Sequence, residues 1–289
     1  MRKGILLAGG KGSRLYPLTK AVNKHFLQVY DKPMIYYPLS TLMLAGIRDI
    51  LIITNKEDIA PYKNLLGNGQ ILGINIKYAI QEKPEGVAQS FLIASKFLDR
   101  DPSALILGDN IFHGNQLVNQ LNDPSIDDNG ATVFAYPVKD PQRYGVVGYD
   151  SQGKVSTIEE KPVNPRSNFA ITGLYFYDNT VIEKAANVKK SLRNELEITS
   201  INKQYMDEDS LRVVQMGRGT AWLDAGTHDT LHNASSYIKI IQQRQGLIVG
   251  CLEEIAWRKK WINDSQLNLI IESLNDNYYK KYLNSLINN

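Results

Sequence analysis

Short apolar runs alternate with helical patterns through the first half of the chain, and this alternation constrains the fold most strongly. The runs are too short for helices, whereas the segments between them repeat apolar residues at three- and four-residue steps. The predicted strands are 5–8, 48–55, 74–81, 103–110 and 131–138, and the predicted helices are 34–47, 57–66 and 86–98. The alternation indicates an α/β fold with a Rossmann-like, parallel or mostly parallel sheet covered by helices on both faces.

From about Tyr144 the pattern changes to short strands and then to helices. Two strands are predicted within 145–162, around a turn at 150–153, and they begin a small β-rich part. The later predicted elements are a strand at 169–178, a helix at 179–188, a strand at 211–217, and helical segments at 229–245 and 252–287. We therefore expect a catalytic domain over residues 1–228 and a helical C-terminal appendage over residues 229–289.

Composition disfavours several classes of protein. The 289 residues are 43% hydrophobic and carry a net charge of +3, with no long basic run, so no nucleic-acid partner is expected. The single cysteine, Cys251, rules out a disulfide framework within the chain and fits a reducing compartment. No apolar stretch approaches the ~20 residues of a membrane span, and the chain enters a strand without a signal-peptide pattern. We expect a soluble, cytoplasmic protein with no membrane partner.

A glycine-rich loop follows the first strand. Gly9, Gly10 and Gly12 leave room for backbone amides to approach an anion, and Arg14 adds a planar cation suited to phosphate oxygens. The spacing matches neither a Walker loop nor a dinucleotide fingerprint, since Leu15 stands where the third glycine of the fingerprint belongs. The alternative is a tight turn with solvated cations. The loop favours phosphate binding and leaves the type of phosphate ligand open.

Two aspartates lie where a metal ion could bind. Asp109 ends an apolar strand, and Asp224 lies in an apolar stretch just before Gly226. One or two carboxylates together with substrate phosphates form the usual protein site for Mg²⁺, although a single Asp more often caps a turn or helix. Combined with the phosphate loop, the pair predicts a Mg²⁺ site.

Several cations accompany these carboxylates and complete the chemical pattern. Lys24 follows the loop, while Lys161 and Arg193 lie in charged segments of the second half, where a solvated surface cation is the alternative. Phosphoryl or nucleotidyl transfer needs mainly positioning and charge neutralisation, which these groups supply. The four histidines form no H-E-x-x-H zinc motif, and no G-x-S-x-G nucleophile motif occurs.

Taken in order, the motifs of the chain closely resemble one family. They are 7-LAGGKGSRLYPLT-19, 31-DKPMIYYPLSTLMLAGI-47, 107-LGDN-110, 142-QRYGVV-147, 159-EEKP-162, 172-TGLYFYD-178, 195-ELEIT-199 and 222-WLDAGTHD-229. The complete series resembles the glucose-1-phosphate thymidylyltransferases, a branch of the sugar nucleotidyltransferases, over nearly the whole chain. The glycine loop alone marks only the wider family.

The resemblance implies a Mg²⁺-dependent reaction in which dTTP and α-D-glucose 1-phosphate give dTDP-glucose and pyrophosphate, opening a dTDP-deoxysugar pathway such as that of dTDP-rhamnose. The implied triphosphate contacts are Gly9, Gly12, Ser13 and Arg14, with Lys24 at the reacting phosphate and Gln81 and Gly86 at the nucleoside. The implied sugar contacts are Gly145, Glu160, Thr172 and Gly173, with Lys161 and Arg193 on the sugar phosphate. Asp109 and Asp224 are the implied metal ligands.

The resemblance further implies a homotetramer with a second, regulatory nucleotide site. The matching positions are Gly114, Arg218, Cys251, Glu254 and Arg258. The chain departs from the family at a few positions. Val118 replaces a His of some relatives near the regulatory site, Gln28 a frequent Pro, Asn194 a frequent Gly, and His25 a Gln.

Three other functions compete with this interpretation. A uridylyltransferase, or an enzyme for another sugar 1-phosphate, is the nearest, because one methyl in an apolar pocket discriminates by only ~1–3 kcal/mol. A sugar-nucleotide sensor on the same fold is disfavoured, since the predicted catalytic cations and aspartates are all present. A nicotinamide oxidoreductase is disfavoured because Asn55, rather than an acidic residue, ends the second long strand.

Overall fold

The predicted α/β sheet is present in the computed structural model, which describes residues 1–123, 126 and 129–288. Residue 289 of the predicted appendage lies outside the described residues. The strands are β1 Lys3–Leu7, β2 Gln28–Val29, β3 Lys32–Pro33, β4 Asp49–Thr54, β5 Asn75–Ile80, β6 Ser103–Leu107, β7 Asn110–Gly114, β8 Ala131–Pro137, β9 Gly145–Tyr149, β10 Val155–Glu160, β11 Phe169–Tyr177, β12 Leu211–Gln215 and β13 Thr220–Asp224.

Helices cover the sheet and continue beyond it. They are α1 Tyr36–Leu44, α2 Ile59–Leu66, α3 Gln89–Ile93, α4 Ser95–Leu98, α5 Leu117–Leu121, α6 Val181–Ala186, α7 Ile198–Asp207, α8 His228–Gln245, α9 Leu252–Arg258, α10 Asp264–Ser273 and α11 Tyr278–Asn288. None of the described helices combines the length and apolar character that crossing a bilayer requires.

The main sheet has the order β10-β9-β11-β6-β1-β4-β5, and β8 pairs with β11 on one side and with β12 on the other. Strands β6, β1, β4 and β5 are parallel neighbours, so their carboxyl ends meet at one edge. The inner strands are buried on both faces, which accounts for their continuous apolar runs. Ligands of such sheets collect at the edge that follows the carboxyl ends.

Antiparallel strands extend the sheet on its other side. Strand β11 pairs with β6, β8 and β9 in opposite direction, and β9 and β10 form a hairpin around the predicted turn at 150–153. This part is the predicted β-rich segment, and β11 places it directly beside β6.

Several predicted boundaries were wrong. The predicted strand 103–110 ends at Leu107, and a new strand, β7, begins at Asn110 and pairs with the unpredicted β13 in a separate two-stranded sheet. The predicted helix 86–98 is two short helices, α3 and α4. Helix α7 was not predicted, because its apolar residues are interspersed with Thr, Ser, Asn and Gln.

The C-terminal helices share an apolar core with the sheet domain. Leu252 and Leu283 are buried in the same cluster as Leu39 and Ile52, and α9 packs against α1. The helical region is therefore held to the sheet domain by buried apolar contacts.

We expect Leu283→Ala to lower the free energy of unfolding of the whole chain by about 2–5 kcal/mol, because it opens a cavity in this shared core. Leu283 is fully buried, whereas Leu269 on α10 is 66% exposed. Leu269→Ala serves as the matched control and should change stability by less than about 0.5 kcal/mol. Urea unfolding measures both variants. A Leu283 variant whose sheet domain keeps wild-type stability in a separate transition would contradict the expectation.

Candidate active site

A cavity of about 200 Å³ opens at the carboxyl edge of the sheet, beside β6. It collects the ends of β6 and β13, the start of β9, the end of β10, the middle of β11 and the start of α7. The predicted site residues in its wall are Arg14, Asp109, Gly145, Glu160, Lys161, Gly173, Arg193 and Asp224. We call it the sugar cavity, after the substrate that the motifs in its wall predict.

The glycine loop lies at the same edge, next to a second cavity of about 460 Å³. Gly12 has a φ of 59°, and a Cβ there would come within 2.8 Å of Thr19, so this position requires glycine. Gly10 and Gln81 both line the second cavity. The Gln81 amide is buried, donates to Gln89 Oε1 at 2.7 Å, and directs its own Oε1 toward Gly9.

Gly9→Ala is expected to raise the KM for the nucleotide by roughly 10-fold, because the new Cβ would overlap Gln81 Oε1 and displace that side chain. Gly217→Ala is the matched control, since a Cβ at Gly217 would meet nothing within 4 Å. Steady-state kinetics with the nucleotide varied measure the effect. An unchanged KM in the Gly9 variant would show that the position of Gln81 does not matter for nucleotide binding.

A buried polar network supports the loop from behind, and the sequence analysis did not find it. The Ala8 carbonyl accepts hydrogen bonds from Asn23 Nδ2 at 3.3 Å and Thr54 Oγ1 at 3.1 Å. Asp58 accepts from Asn23 and Asn55 at 2.6 and 2.8 Å. These bonds connect the start of the loop to the end of β4 and to the short 3₁₀ turn Lys56–Asp58, which limits the movement of the loop.

The two predicted metal ligands lie side by side. Asp224 pairs with Asn110 in the β7–β13 ladder, and the Ala225 amide donates to the Asp109 carbonyl at 3.0 Å. The Asp109 carboxylate also accepts a hydrogen bond from Asn110 Nδ2 at 3.0 Å. Two strands distant in sequence thus bring both carboxylates to one point.

Cations surround this carboxylate pair. Lys24 Nζ forms an ion pair with Asp109 Oδ2, and Arg143 Nη2 lies 3.6 Å from Asp224 Oδ2. Burial opposes the ionisation of Asp109, but Lys24 keeps the pKa of its carboxyl below the usual range. Burial and the charge of Asp109 raise the pKa of Asp224. The two carboxylates therefore repel each other, and a bound cation would reduce that repulsion.

Arg193 is the centre of a carboxylate cluster at the far side of the cavity. Its Nη2 lies 2.9 Å from both carboxylate oxygens of Glu197 and 2.9 Å from Glu195 Oε2. Glu160 Oε1 is 3.4 Å away from the same nitrogen, and Glu160 also accepts a hydrogen bond from the Thr199 hydroxyl. The carboxylates fix the guanidinium in the cavity wall, and Lys161 lies next to it.

The remaining predicted substrate contacts divide into two groups. A Cβ at Gly145 would lie 3.2 Å from Thr199 Oγ1, and one at Gly173 would lie 2.5 Å from Asn110 Oδ1. A larger residue at either position would therefore crowd these polar groups of the cavity wall. Thr172 is fully buried and does not line the cavity. Gly86 has a φ of 114° and packs against the backbone of Leu196, where a Cβ would overlap. The structure thus gives Gly86 a packing role that the sequence did not predict.

The residues predicted for regulation fall on two elements. Gly114 ends β7 opposite Thr220, close to the exposed Arg218. Cys251 precedes α9 and is buried, with its thiol 3.3 Å from the Tyr279 hydroxyl. Further along α9, Arg258 donates to Glu254 at 2.7 Å.

Two of the departures from the family pattern have a structural setting. Asn194 has a φ of 61°, a left-handed conformation that Asn tolerates better than most residues, so it can stand where glycine is frequent. His25 is buried beside Gly108, and burial lowers its pKa to about 3. Gln28 is exposed in β2.

Other wall residues were missed by the sequence analysis. They include Asn110, Arg143, Glu197, Asn202 and Trp222. Asn110 belongs to the motif 107-LGDN-110, but no role was predicted for it. Its Oδ1 accepts hydrogen bonds from Trp222 Nε1 at 2.6 Å and from the Gly173 amide at 3.0 Å. Asn202 lies on α7, which was not predicted. A predicted helix beginning at Ile198 would have placed Asn202 near the cavity.

Comparison with known proteins identifies a family and several similar proteins. The chain matches the nucleotidyl transferase family over residues 3–241. It is 52% identical to the glucose-1-phosphate thymidylyltransferase of Neisseria meningitidis over 99% of both chains, and 55% identical to that of Xanthomonas campestris over 99% of this chain and 97% of the relative.

Solved structures resemble it as well. One is a Bacillus anthracis protein described as a glucose-1-phosphate thymidylyltransferase in complex with a sucrose, which is 41% identical, with a TM-score of 0.76 over 82% of this chain and 95% of that one. A UDP-glucose pyrophosphorylase complexed with UDP-glucose is 24% identical, with a TM-score of 0.71 over 83% of this chain and 100% of that one, and shares the fold.

Proposed function

The chain belongs to the nucleotidyl transferase family, among the glucose-1-phosphate thymidylyltransferases, and we propose that it transfers dTMP from dTTP to α-D-glucose 1-phosphate. The products are dTDP-glucose and pyrophosphate. The observation that carries the assignment of the site is that Asp109 and Asp224 line one cavity together with Arg14, which follows the glycine loop, and with Arg193. This arrangement separates a nucleotide side from a sugar-phosphate side.

In the proposed reaction an oxygen of the sugar phosphate attacks the α-phosphorus of dTTP. A new phosphorus–oxygen bond forms, and the bond from the α-phosphorus to the oxygen bridging the β-phosphorus breaks. Pyrophosphate leaves with that bridging oxygen. The attacking oxygen is already anionic, so no general base is needed, and the protein contributes positioning and charge neutralisation.

Each side of the site has a distinct task in this reaction. The loop amides and Arg14 bind the triphosphate and neutralise charge on the leaving pyrophosphate. Gln81 hydrogen-bonds the thymine edge at the nucleotide side. Lys161 and Arg193 hold the sugar phosphate, while Glu160 accepts hydrogen bonds from sugar hydroxyls. Lys24, now paired with Asp109, can turn to the reacting phosphate when the substrates enter.

Mg²⁺ is the proposed cofactor, held by Asp109 and Asp224. The donor set fits this ion: the two carboxylates are adjacent, and no group of three or more metal-binding side chains occurs among the described residues, so phosphate and water would complete the shell. Bound Mg²⁺ neutralises phosphate charge. We expect EDTA to reduce turnover to background and added Mg²⁺ to restore it, as measured by pyrophosphate release; full activity in EDTA would contradict the proposal.

The nucleotide preference is tested by pyrophosphate release from the purified protein with glucose 1-phosphate and each of dTTP, UTP, CTP, ATP and GTP. We expect dTTP to be used best, with UTP second by roughly 10- to 200-fold in kcat/KM, since the two differ by one methyl. A preference for UTP would favour the uridylyltransferase alternative. Nucleotide binding without pyrophosphate release would favour the sensor.

The family resemblance also supports a cytoplasmic homotetramer, regulated through Gly114, Arg218, Cys251, Glu254 and Arg258, and supplying a dTDP-deoxysugar pathway such as that of dTDP-rhamnose. Light scattering measures the assembly, and a monomer at assay concentration would remove this part of the proposal. Inhibition by dTDP-sugars in the wild-type protein and in Arg258→Ala measures the regulation.

A further inference from the structure

A buried amide without a hydrogen-bond partner lies in the wall of the sugar cavity. Asn202, on α7, is fully buried and lines the cavity, and its Nδ2 has no hydrogen-bond partner among the described residues. Its Oδ1 accepts a hydrogen bond from the Tyr177 hydroxyl at 2.5 Å. Buried amide groups are normally paired, so an unpaired donor in a cavity wall is available to a bound ligand or an ordered water.

Tyr177 fixes the orientation of this amide. The Tyr177 ring is buried between Phe91, at 5.3 Å in an edge arrangement, and Tyr205, at 5.5 Å in a stacked one. Its hydroxyl cannot move far without breaking these contacts. Because the hydroxyl holds Oδ1, the Nδ2 of Asn202 points away from Tyr177.

The neighbouring wall groups suit a ligand with several hydroxyls. Thr199 lies three residues before Asn202, on the same face of α7, and its hydroxyl already donates to Glu160. Glu160 has only acceptor oxygens when ionised, so it binds the hydrogen of a sugar hydroxyl. A hydroxyl oxygen also accepts hydrogen bonds, and the Asn202 Nδ2 is a donor in the same wall to which no group in the described part of the chain is bonded.

We propose that Asn202 is a specificity-determining residue, whose Nδ2 donates a hydrogen bond to one hydroxyl of the sugar 1-phosphate. This inference rests on the proposed function and extends its sugar contacts to a residue outside the predicted set. Asn202 contacts no phosphate in this scheme. It selects the sugar and leaves nucleotide binding unaffected.

The test compares Asn202→Asp and Asn202→Leu with the wild-type protein on glucose 1-phosphate and on its 2-, 3-, 4- and 6-deoxy analogues. Asn202→Asp keeps the acceptor for Tyr177 and removes the donor, and Asn202→Leu removes both without adding charge. We expect both variants to lose about 10- to 100-fold in kcat/KM for glucose 1-phosphate, with the KM for dTTP unchanged. For one of the deoxy analogues, the kcat/KM of each variant should equal that of the wild type. It should be the same analogue for both variants.

Asn187→Asp is the matched control, since that amide is exposed and bonds only within its own helix region, to the Glu183 carbonyl. It should behave as wild type with every sugar. An equal loss of kcat/KM on all five sugars, or no loss on any of them, would overturn the role of Asn202. Turnover by the wild-type protein would still support the proposed function. Absence of wild-type turnover with every nucleotide would instead reject the proposed function, and this inference with it.

Discussion

Asp109→Asn is expected to lower kcat by about 10³-fold or more while leaving the fold intact, and Asp224→Asn should have a similar effect. Each substitution removes one negative charge from the pair that lies between the two substrate sides. Asparagine has nearly the same shape as aspartate, so the β7–β13 ladder and the contacts of Asn110 can persist. Pyrophosphate release measures turnover, and thermal unfolding checks the fold.

Asp101→Asn provides the matched control for this pair. Asp101 also forms ion pairs, with Lys3 and the N-terminal amine, but it lies outside the sugar cavity. It should retain wild-type kcat. Near-normal activity in both the Asp109 and the Asp224 variants would rule out the proposed metal site.

Arg193→Ala is expected to lower kcat/KM for glucose 1-phosphate by about 100-fold or more, with little change in the KM for dTTP. The substitution removes a cation from the sugar-phosphate side and leaves Glu197, which is 7% exposed, without its main partner. Arg193→Lys should recover only part of the loss, because an ammonium cannot reproduce the paired bonds of the guanidinium.

Arg166→Ala is the control for Arg193. Arg166 forms a looser pair with Glu159, at 3.6 Å, and its side chain is 66% exposed. We expect its kinetics to match the wild type within about twofold, as for most exposed ion pairs. Equal rises in the KM of both substrates in Arg193→Ala would point to general disruption of the site and contradict a selective role on the sugar phosphate.

The sequence predicted the parallel half of the fold well, because its signals are local. Buried parallel strands such as β1, β4 and β6 are continuous apolar runs bounded by turn residues, so each can be recognised without its neighbours. Strand β13 has no such run: its five residues end in an aspartate, and its partner β7 starts only three residues after β6 ends. A ladder between two short strands distant in sequence leaves almost no local pattern.

The candidate site was predicted where motifs carry charge or glycine, and missed where a role depends on long-range contact. Asp109 follows a strand that can be read directly, and its position at the carboxyl edge follows from the fold class. Asn202 is oriented by Tyr177, which lies 25 positions before it in the sequence. Trp222 is bonded to Asn110, which lies 112 positions before it. No pattern within a few residues could assign such partners.

The β7–β13 ladder also affects the order in which the parts of the candidate site come together during synthesis. The glycine loop, Gln81 and Asp109 all belong to the first half of the chain, and the parallel strands around them can pair as soon as residue 107 has left the ribosome. The second carboxylate joins them only after β13 has emerged and closed a loop of more than a hundred residues, a slow, non-local event. With the roles proposed for the loop and for Asp224, we expect a nascent chain that ends before Thr220 to have the glycine loop in place but no turnover.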